Sequence, residues 1–327
     1  MIKNTNTEFN KLIEEVKTIR TPSQAQTKKM ITDIRRMTKQ YVSDNNIKAL
    51  VIGISGGLDS SVVAALCQEK FIGVPLIGVS IPMNSTNAHK EQAQWVGNNY
   101  CTVFEEFRKW DEEWFLSDED EAYDCPTNMM SEVFNTISVT DKIAKQAGFN
   151  PDTFPKKILS GNMKARLRMI TLYDLARKTN GMVLSTDNEQ EFQMGFWTIC
   201  GDVGDYGPIQ NISKGFELPA IAKELGISED IITQKPSDGL KVSEADSDEA
   251  QLGANYQEVE TIMSIYLENL PVSETIKKSM KSRLLNLINV NDTIGASKVA
   301  KIIKRYEDMT FKRNGTINLT RSELNII

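Results

Sequence analysis

The stretch Gly53-Ile54-Ser55-Gly56-Gly57-Leu58-Asp59-Ser60-Ser61 decides how this chain folds. It ends a short apolar run, Ala49 to Ile54, and is followed by a second apolar segment with the character of a buried helix, Val62 to Cys67. Glycines let a backbone approach a ligand without a Cβ collision, and the N–H groups at a helix N-terminus attract phosphate. The stretch therefore predicts a phosphate-binding loop between a strand and a helix, with a simple glycine turn capped by Asp59 or Ser60 as the alternative.

An acidic residue inside this anion-binding loop carries further information. Asp59 would repel a phosphate unless a cation lay between them, so its presence indicates bound Mg²⁺. Ser55, Ser60 and Ser61 add hydroxyl donors to the same loop. The stretch matches neither the G-x-x-x-x-G-K-[ST] phosphate loop nor the G-x-G-x-x-G dinucleotide motif, so those two classes of nucleotide-binding protein are not indicated.

Strands and helices alternate outward from this loop. Apolar runs predict further strands at Leu76 to Ile81, Thr102 to Phe104 and Met182 to Leu184, and helices at His89 to Asn98 and Met163 to Lys178. Such alternation predicts an α/β fold with a parallel sheet covered by helices on both faces, a Rossmann-like arrangement. Helical periodicity in residues 1–46 and 254–327 predicts helical extensions at both termini of a single domain, 1–327.

Composition restricts the function classes. The chain has 327 residues with a formal net charge of −6, which argues against a nucleic-acid enzyme. Its four cysteines form no C-x-x-C pair, so neither a zinc site nor a redox motif is indicated. With His89 as its one histidine, the chain must bind any metal mainly through carboxylates, which favours Mg²⁺. Without a signal peptide or a long apolar run, a cytoplasmic protein with no membrane partner is expected.

Several motifs carry a family resemblance. Ser55 to Ser60 matches the S-G-G-x-D-S loop of the N-type ATP pyrophosphatases, whose fold is of the adenine nucleotide alpha hydrolase type. Gly161 to Met169 (GNMKARLRM) is similar to the G-N-x-x-A-R-x-R-M segment of NAD synthetases. Further similar segments follow in order: Ser185 to Glu191, Gly195 to Asp202, Lys235 to Ser237 and Leu252 to Tyr256. The chain resembles the ammonia-dependent NAD synthetases over roughly residues 30–320.

This resemblance implies an activity and a set of site residues. The family uses ATP and ammonia to convert deamido-NAD to NAD through an acyl-adenylate, releasing AMP and pyrophosphate. By position, the ATP-binding residues are Gly53, Ser55, Gly56, Gly57, Asp59, Ser60, Thr186, Lys214 and Ser237. Asp59 and Glu191 would hold Mg²⁺, while Arg166, Asp205 and Lys312 would contact deamido-NAD. Asp59 and Lys214 would serve catalysis, with Asp202 or Asp205 binding or deprotonating ammonium. The family also implies a homodimer with deamido-NAD at the subunit interface.

Free ammonia is the expected nitrogen donor. Only about 46 residues precede the first strand, and none of the cysteines lies in a recognisable nucleophile motif. The acidic segment Asp111 to Asp124 is expected to be a solvated insertion. A second one, Ser243 to Gln251, is expected to be mobile and to close over the site.

Taken without the family, three site residues leave alternatives open. Arg166 shares a predicted apolar helix face with Met163, Ile170 and Tyr173, so it would pair either with a buried anionic ligand or within the chain. Thr186 could simply cap the end of a strand. Lys214 alone would read as an ordinary surface lysine.

The sequence also departs from the family. Ile199 stands where the family has a lysine that contacts the dinucleotide, and Cys200 replaces an aromatic residue. Phe311 replaces a histidine, and Gly201 to Pro208 is one residue short. We expect a deamido-NAD site that is weakened or rebuilt by Lys156, Lys157 or Lys164. The alternatives are a different carboxylate substrate, a tRNA-modifying enzyme with the same loop, and a nucleotide sensor without catalysis.

Overall fold

The computed structural model describes residues 2–83, 86–106, 126–153, 155–236, 247–289 and 294–315. Its centre is a parallel sheet of four strands in the order β3-β2-β1-β4. The strands are β1 (Leu50–Gly53), β2 (Leu76–Ser80), β3 (Val103–Glu106) and β4 (Met182–Val183). Leu50 pairs with Leu76 on one side and with Met182 on the other. The predicted α/β fold with a parallel sheet is confirmed, and each predicted strand is present within two residues at either end.

Fifteen helices surround the sheet within the described ranges. They are α1 (Ile2–Arg20), α2 (Gln24–Asp44), α3 (Leu58–Leu66), α4 (Glu69–Ile72), α5 (Asn87–Tyr100), α6 (Pro126–Gln146), α7 (Lys156–Lys178), α8 (Glu189–Met194), α9 (Glu217–Glu224), α10 (Glu229–Ile232), α11 (Asp248–Leu252), α12 (Tyr256–Tyr266), α13 (Glu274–Asn289), α14 (Ile294–Asp308) and α15 (Thr310–Arg313). None of these helices is both long and apolar enough to cross a membrane.

Both faces of the sheet are covered, as the continuous apolar runs of β1 and β2 require, because successive side chains of a strand point to opposite faces. Leu50 and Ile52 of β1 belong to a large apolar cluster formed with residues of α2, α3, α5 and α9. Val51 belongs to a smaller cluster on the opposite face, which includes Met169 and Leu172 of α7. Because β1 is central and buried on both sides, the loop that follows it is fixed in position.

The two terminal helical segments pack against each other. Phe9, Leu12 and Val16 of α1 share an apolar cluster with residues of α12, α13 and α14. Met194 of α8 and Phe216 belong to the same cluster, which connects it to the segments that follow β4. The predicted helical extensions are confirmed over the residues that the structure describes.

The structure describes part of one of the two acidic segments and none of the other. Asp111 to Asp124 lies outside the described residues. Of Ser243 to Gln251, residues 247–251 are described, and they lead into and form most of the short helix α11. Ser247 caps α11 by accepting a hydrogen bond from the Ala250 N–H at 3.3 Å, and Asp248 is buried.

Candidate active site

The loop after β1 is shaped for a phosphate. Gly56 has φ of +83°, and a Cβ there would collide with the His89 carbonyl oxygen and lie 3.0 Å from the Ala93 nitrogen. Gly57 is the N-cap of α3 and has no side chain to cap it, while the Ser60 hydroxyl accepts from the Ser55 N–H at 3.3 Å within the loop. The loop thus places N–H groups of a helix N-terminus beside the serine hydroxyls, as an anion site requires.

A cavity of about 550 Å³ lies along this loop. It brings together most of the residues expected to form the site: Gly53, Ser55, Gly57, Asp59, Ser60, Thr186, Glu191, Asp202 and Lys214. Arg166, Asp205 and Lys312 are not among its lining residues. Ser237 lies outside the described residues. The cavity lies at the carboxyl ends of β1 and β4, where parallel α/β sheets bind their ligands.

Lys214 is buried at the centre of an acidic group. Its Nζ lies 2.7 Å from Asp59 Oδ2, 3.4 Å from Glu191 Oε1 and 3.9 Å from Asp248 Oδ2. Burial alone would lower the pKa of Lys214, but these carboxylates outweigh it and raise that pKa. The backbone N–H of Lys214 donates to Gln190 Oε1 at 2.7 Å. Interpreting Lys214 as a surface lysine is therefore wrong, because it is a held cation aimed at the phosphate loop.

Glu191 and Asp59 converge on one point from different elements. Glu191 sits in the first turn of α8, where Asn188 forms a capping box with it. Asn188 also donates from Nδ2 to Asp59 Oδ1 at 3.0 Å, which ties α8 to the phosphate loop. The Tyr256 hydroxyl donates to Glu191 Oε1 at 2.9 Å. Burial raises the pKa of Glu191, and the Lys214 ammonium opposes that rise.

This donor set fits Mg²⁺. Mg²⁺ in proteins usually takes one or two carboxylates and completes its octahedron with substrate phosphates and water. Asp59 and Glu191 supply two such carboxylates beside a phosphate loop. No group of three or more His, Cys, Asp or Glu able to cage a metal occurs within the described ranges, so the nucleotide would have to supply the remaining ligands.

Three further residues belong to the site and were missed from the sequence. Asp187 is 6% exposed and lines the cavity, and burial together with nearby Asp202 raises its pKa to about 7. Asp248 and Tyr256 complete the group around Lys214, with the Tyr256 hydroxyl 2.8 Å from Asp248 Oδ2. Asp187 follows Thr186 in the segment that leaves the carboxyl end of β4, and that position alone could have marked it as a site residue.

The comparison with known proteins settles the family. A family profile described as NAD synthase matches residues 30–106 and 117–315.

The chain belongs to the NAD synthase family.

An NH(3)-dependent NAD(+) synthetase of Methanocaldococcus jannaschii is 31% identical over 267 residues, which are 81% of this chain and 91% of that protein. The structure of NMN synthetase from Francisella tularensis superposes on this chain with a TM-score of 0.63 and 22% identity. The alignment covers 90% of this chain and 98% of that protein chain. An NH3-dependent NAD synthetase from Campylobacter jejuni covers 90% and 99%, with a TM-score of 0.58 and 21% identity. These two structures show the shared fold, and the chain is an enzyme of the ligase class, as its curated relatives are.

The helix that carries the family's paired arginines is oriented differently from the prediction. The face of α7 predicted to be buried holds Ile170 and Tyr173, which are 63% and 40% exposed. Arg166 on that face donates from Nε to the Ile199 carbonyl oxygen at 3.2 Å, so the chain offers it a neutral partner there. Arg168, two residues further along α7, lines the cavity and donates to the Ile81 carbonyl oxygen at 3.2 Å. The sheet selects the inward face of α7, and that face includes the buried Lys164.

The remaining NAD synthase positions lie apart from the cavity. Asp205 Oδ1 accepts from the Tyr173 hydroxyl at 2.8 Å and Oδ2 accepts from the Val183 N–H at 3.1 Å. Lys312 Nζ donates to the carbonyl oxygens of Gly195 and Trp197 at 2.7 and 2.5 Å. Both side chains therefore fasten the loops around the site in this structure.

Proposed function

We propose that this chain converts the nicotinate carboxylate of deamido-NAD to the amide, using ATP and free ammonia, and releases AMP and pyrophosphate. The observation that carries the proposal is the buried Lys214 between Asp59 and Glu191, in the cavity that the phosphate loop lines. Family membership supports the same reaction. The site offers a phosphate cradle, a fixed cation and two metal-binding carboxylates.

The first step activates the carboxylate. A carboxylate is a poor acyl donor because its leaving group would be oxide. Its oxygen attacks the α-phosphorus of ATP, a bond to AMP forms, and the α-to-β bridging bond breaks to release pyrophosphate. The loop N–H groups, Ser55 and Ser60 hold the phosphates, and Lys214 stabilises the negative charge that develops on them. When bound, Mg²⁺ held by Asp59 and Glu191 supplies further charge neutralisation.

The second step transfers nitrogen. Ammonia attacks the acyl carbon, AMP leaves with the carboxylate oxygen it gained, and the nitrogen loses a proton. Ammonium must also lose a proton before it can attack. Asp202 is the better of the two residues expected to bind it, because Asp202 lines the cavity beside Asp187 and Asp205 does not. Asp202 is held by the Thr198 N–H, which donates to its Oδ1 at 2.8 Å.

A second carboxylate substrate, nicotinate mononucleotide, is favoured by one observation. Ile199, at the family's lysine position, is 48% exposed, and Phe311 is 53% exposed. The region expected to bind the dinucleotide therefore presents apolar side chains where a cation would be expected. Nicotinate mononucleotide carries the same carboxylate without the adenylate half, and one solved structure of similar fold is named an NMN synthetase.

Two copies of the chain pair through α7 in this proposal. Ile170 and Tyr173 form an exposed apolar face beside Arg166. By family resemblance, Arg166 contacts deamido-NAD, and deamido-NAD lies at a subunit interface. Light scattering coupled to size exclusion would report twice the chain mass of 36.7 kDa for such a dimer. A monomer at micromolar concentration would reject the pairing.

The activity test supplies each substrate in turn. The purified chain is mixed with ATP, Mg²⁺ and ammonium, and with either deamido-NAD or nicotinate mononucleotide. Chromatography then measures the amide product, AMP and pyrophosphate. Deamido-NAD labelled with ¹⁸O in its carboxylate should place one label in AMP, as an acyl-adenylate requires. Glutamine in ammonia-free buffer should give no product. If ATP and Mg²⁺ bind but neither carboxylate turns over, the proposed reaction is rejected and only ATP binding is retained.

A further inference from the structure

Arg20, the last residue of α1, lies in a buried group of three glutamates. Its guanidinium nitrogens lie 3.2 Å from Glu189 Oε2, 3.5 Å from Glu217 Oε1 and 3.4 Å from Glu260 Oε1. The side chain of Arg20 is 15% exposed, and those of Glu189, Glu217 and Glu260 are 13%, 15% and 0% exposed. Nη2 of Arg20 also donates to Ser264 Oγ at 3.3 Å. A single cation therefore holds three buried carboxylates together, which arginine can do because its guanidinium donates in several directions.

Each glutamate is attached to an element that carries an active-site residue. Glu217 Oε2 accepts from the N–H of Ser213 at 2.9 Å, and Glu260 Oε2 accepts a short hydrogen bond from the Ser213 hydroxyl. Ser213 directly precedes Lys214. Glu189 is the first residue of α8, two residues before Glu191, and Gln190 between them accepts from the Lys214 N–H. The guanidinium thus fixes the loop that carries Lys214 and the helix that carries Glu191 relative to each other.

We propose that Arg20 is a positioning residue for Lys214 and Glu191, so that the amino-terminal helix completes the nucleotide site. The NAD synthase profile begins at residue 30, so α1 lies outside the matched region. Without the guanidinium, Glu189, Glu217 and Glu260 would lose the partner that they share, and the loop at Ser213 would no longer be held against α12. A displacement of about 1 Å at a catalytic group can cost about a hundredfold in rate.

Residues other than Arg20 also anchor α1. Phe9, Leu12 and Val16 bury its apolar face against the C-terminal helices. Elsewhere on the same helix, Glu8 and Glu15 pair with Arg283 of α13 at 2.6 and 2.8 Å. Arg283 offers a matched control, since it also links α1 to the C-terminal helices and is not among the residues that line the cavity.

The test compares Arg20→Met, Arg20→Lys and Arg283→Met in the full chain. Calorimetry measures the affinity for ATP with Mg²⁺, and steady-state kinetics gives kcat and the KM for ammonium, well below each variant's Tm. Arg20→Met should weaken nucleotide binding and lower kcat by about tenfold or more, with the KM for ammonium unchanged. Arg20→Lys keeps the positive charge but lacks the branched guanidinium, so its nucleotide affinity and kcat should lie between those of wild type and Arg20→Met. Arg283→Met should lower Tm only.

Two results would overturn the proposal. One is wild-type nucleotide affinity and kcat in folded Arg20→Met, which would make Arg20 merely structural. The other is an equal loss in Arg283→Met. Should Arg20→Met fail to fold, Arg20→Lys decides in the same way: wild-type values in it would reject positioning. The kcat arm depends on the proposed reaction, but the calorimetric arm does not. A wild type that binds ATP and turns over no carboxylate would reject the reaction and leave the role of Arg20 testable.

Discussion

Asp59 is the residue on which nucleotide chemistry most directly depends. It accepts from Lys214 Nζ and from Asn188 Nδ2 on its two oxygens, and it is expected to attract Mg²⁺. Asp59→Asn keeps the shape and removes the charge. We expect kcat to fall by about a hundredfold or more, which is about 2.7 kcal/mol of lost transition-state stabilisation, with Tm little changed. Asp174→Asn, at an exposed pair with Lys178, is the matched control. Wild-type kcat at saturating Mg²⁺ would remove Asp59 from the mechanism.

Ile199 tests whether the substrate region has been rebuilt. Its side chain is half-exposed beside Arg166, whose Nε donates to the Ile199 carbonyl oxygen. Ile199→Lys would restore a cation there, and a charge-assisted contact is worth about 1.5–3 kcal/mol. The KM for deamido-NAD should fall about tenfold or more, with kcat and the KM for ATP unchanged. Ile276→Lys, at an equally exposed position on α13, should change neither KM. An unchanged KM in Ile199→Lys would mean that other groups bind the dinucleotide.

At the scale of single residues, sequence could identify those held by contiguous motifs. Asp59 and Glu191 were found in this way, Lys214 was found by its position in the family, and the three do converge. Asp248 was not found, because it lies outside those motifs, and Tyr256, which ends one of them, was not recognised as a site residue. The prediction of which face of α7 points inward was also wrong. Apolar periodicity favoured the face with Ile170, whereas the sheet buries a face that carries Lys164, and charged residues on a buried face cannot be recognised from hydrophobicity.

The loop between α8 and α9 is the element whose position matters most. Gly215, directly after Lys214, lies against α12: a Cβ there would collide with Glu260 Oε2 and lie 3.1 Å from Gln257 Cα. Gly215→Ala should therefore push the loop outward and lower kcat by about tenfold or more, with a loss of stability of about 1–3 kcal/mol. Gly226→Ala places its Cβ in open space at φ of +76° and should destabilise without a change in kcat. Equal kcat values in the two variants would show that the loop tolerates the displacement.

Elements were predicted better than their arrangement. Buried strands such as β1 and β2 were located closely because apolar β-branched runs bounded by glycine or proline have few other solutions. The amphipathic pattern of the terminal segments predicted helices, but it could not show that α1 packs against α12, α13 and α14. Such pairings depend on contacts between residues more than 200 positions apart, which no local pattern encodes.

For the whole molecule, buried acids make stability depend on pH. Burial raises the pKa of Glu260 to about 8 and that of Asp187 to about 7, and it raises the pKa of Glu191 as well. In the unfolded chain these groups titrate near 4. Between those values the folded protein binds more protons than the unfolded chain does. Their contribution to stability is therefore fully present below about pH 4 and is lost as pH rises through 7 and 8.

We accordingly expect the Tm of the nucleotide-free protein, measured without Mg²⁺, to fall between pH 5.5 and pH 8.5. Glu260→Gln removes one of the titrating groups, keeps an oxygen that can accept from Ser213, and leaves Arg20 paired with Glu189 and Glu217. Its Tm should decline less steeply, and the difference from wild type at the alkaline end should reach about 1–3 kcal/mol of unfolding free energy. Glu14→Gln, at a glutamate that is 71% exposed on α1, should follow the wild-type profile. Calorimetric scans at five pH values suffice, because the expectation concerns the slope. Parallel profiles for Glu260→Gln and wild type would mean that Glu260 is already ionised at pH 5.5 and that Arg20 neutralises it more completely than its burial suggests.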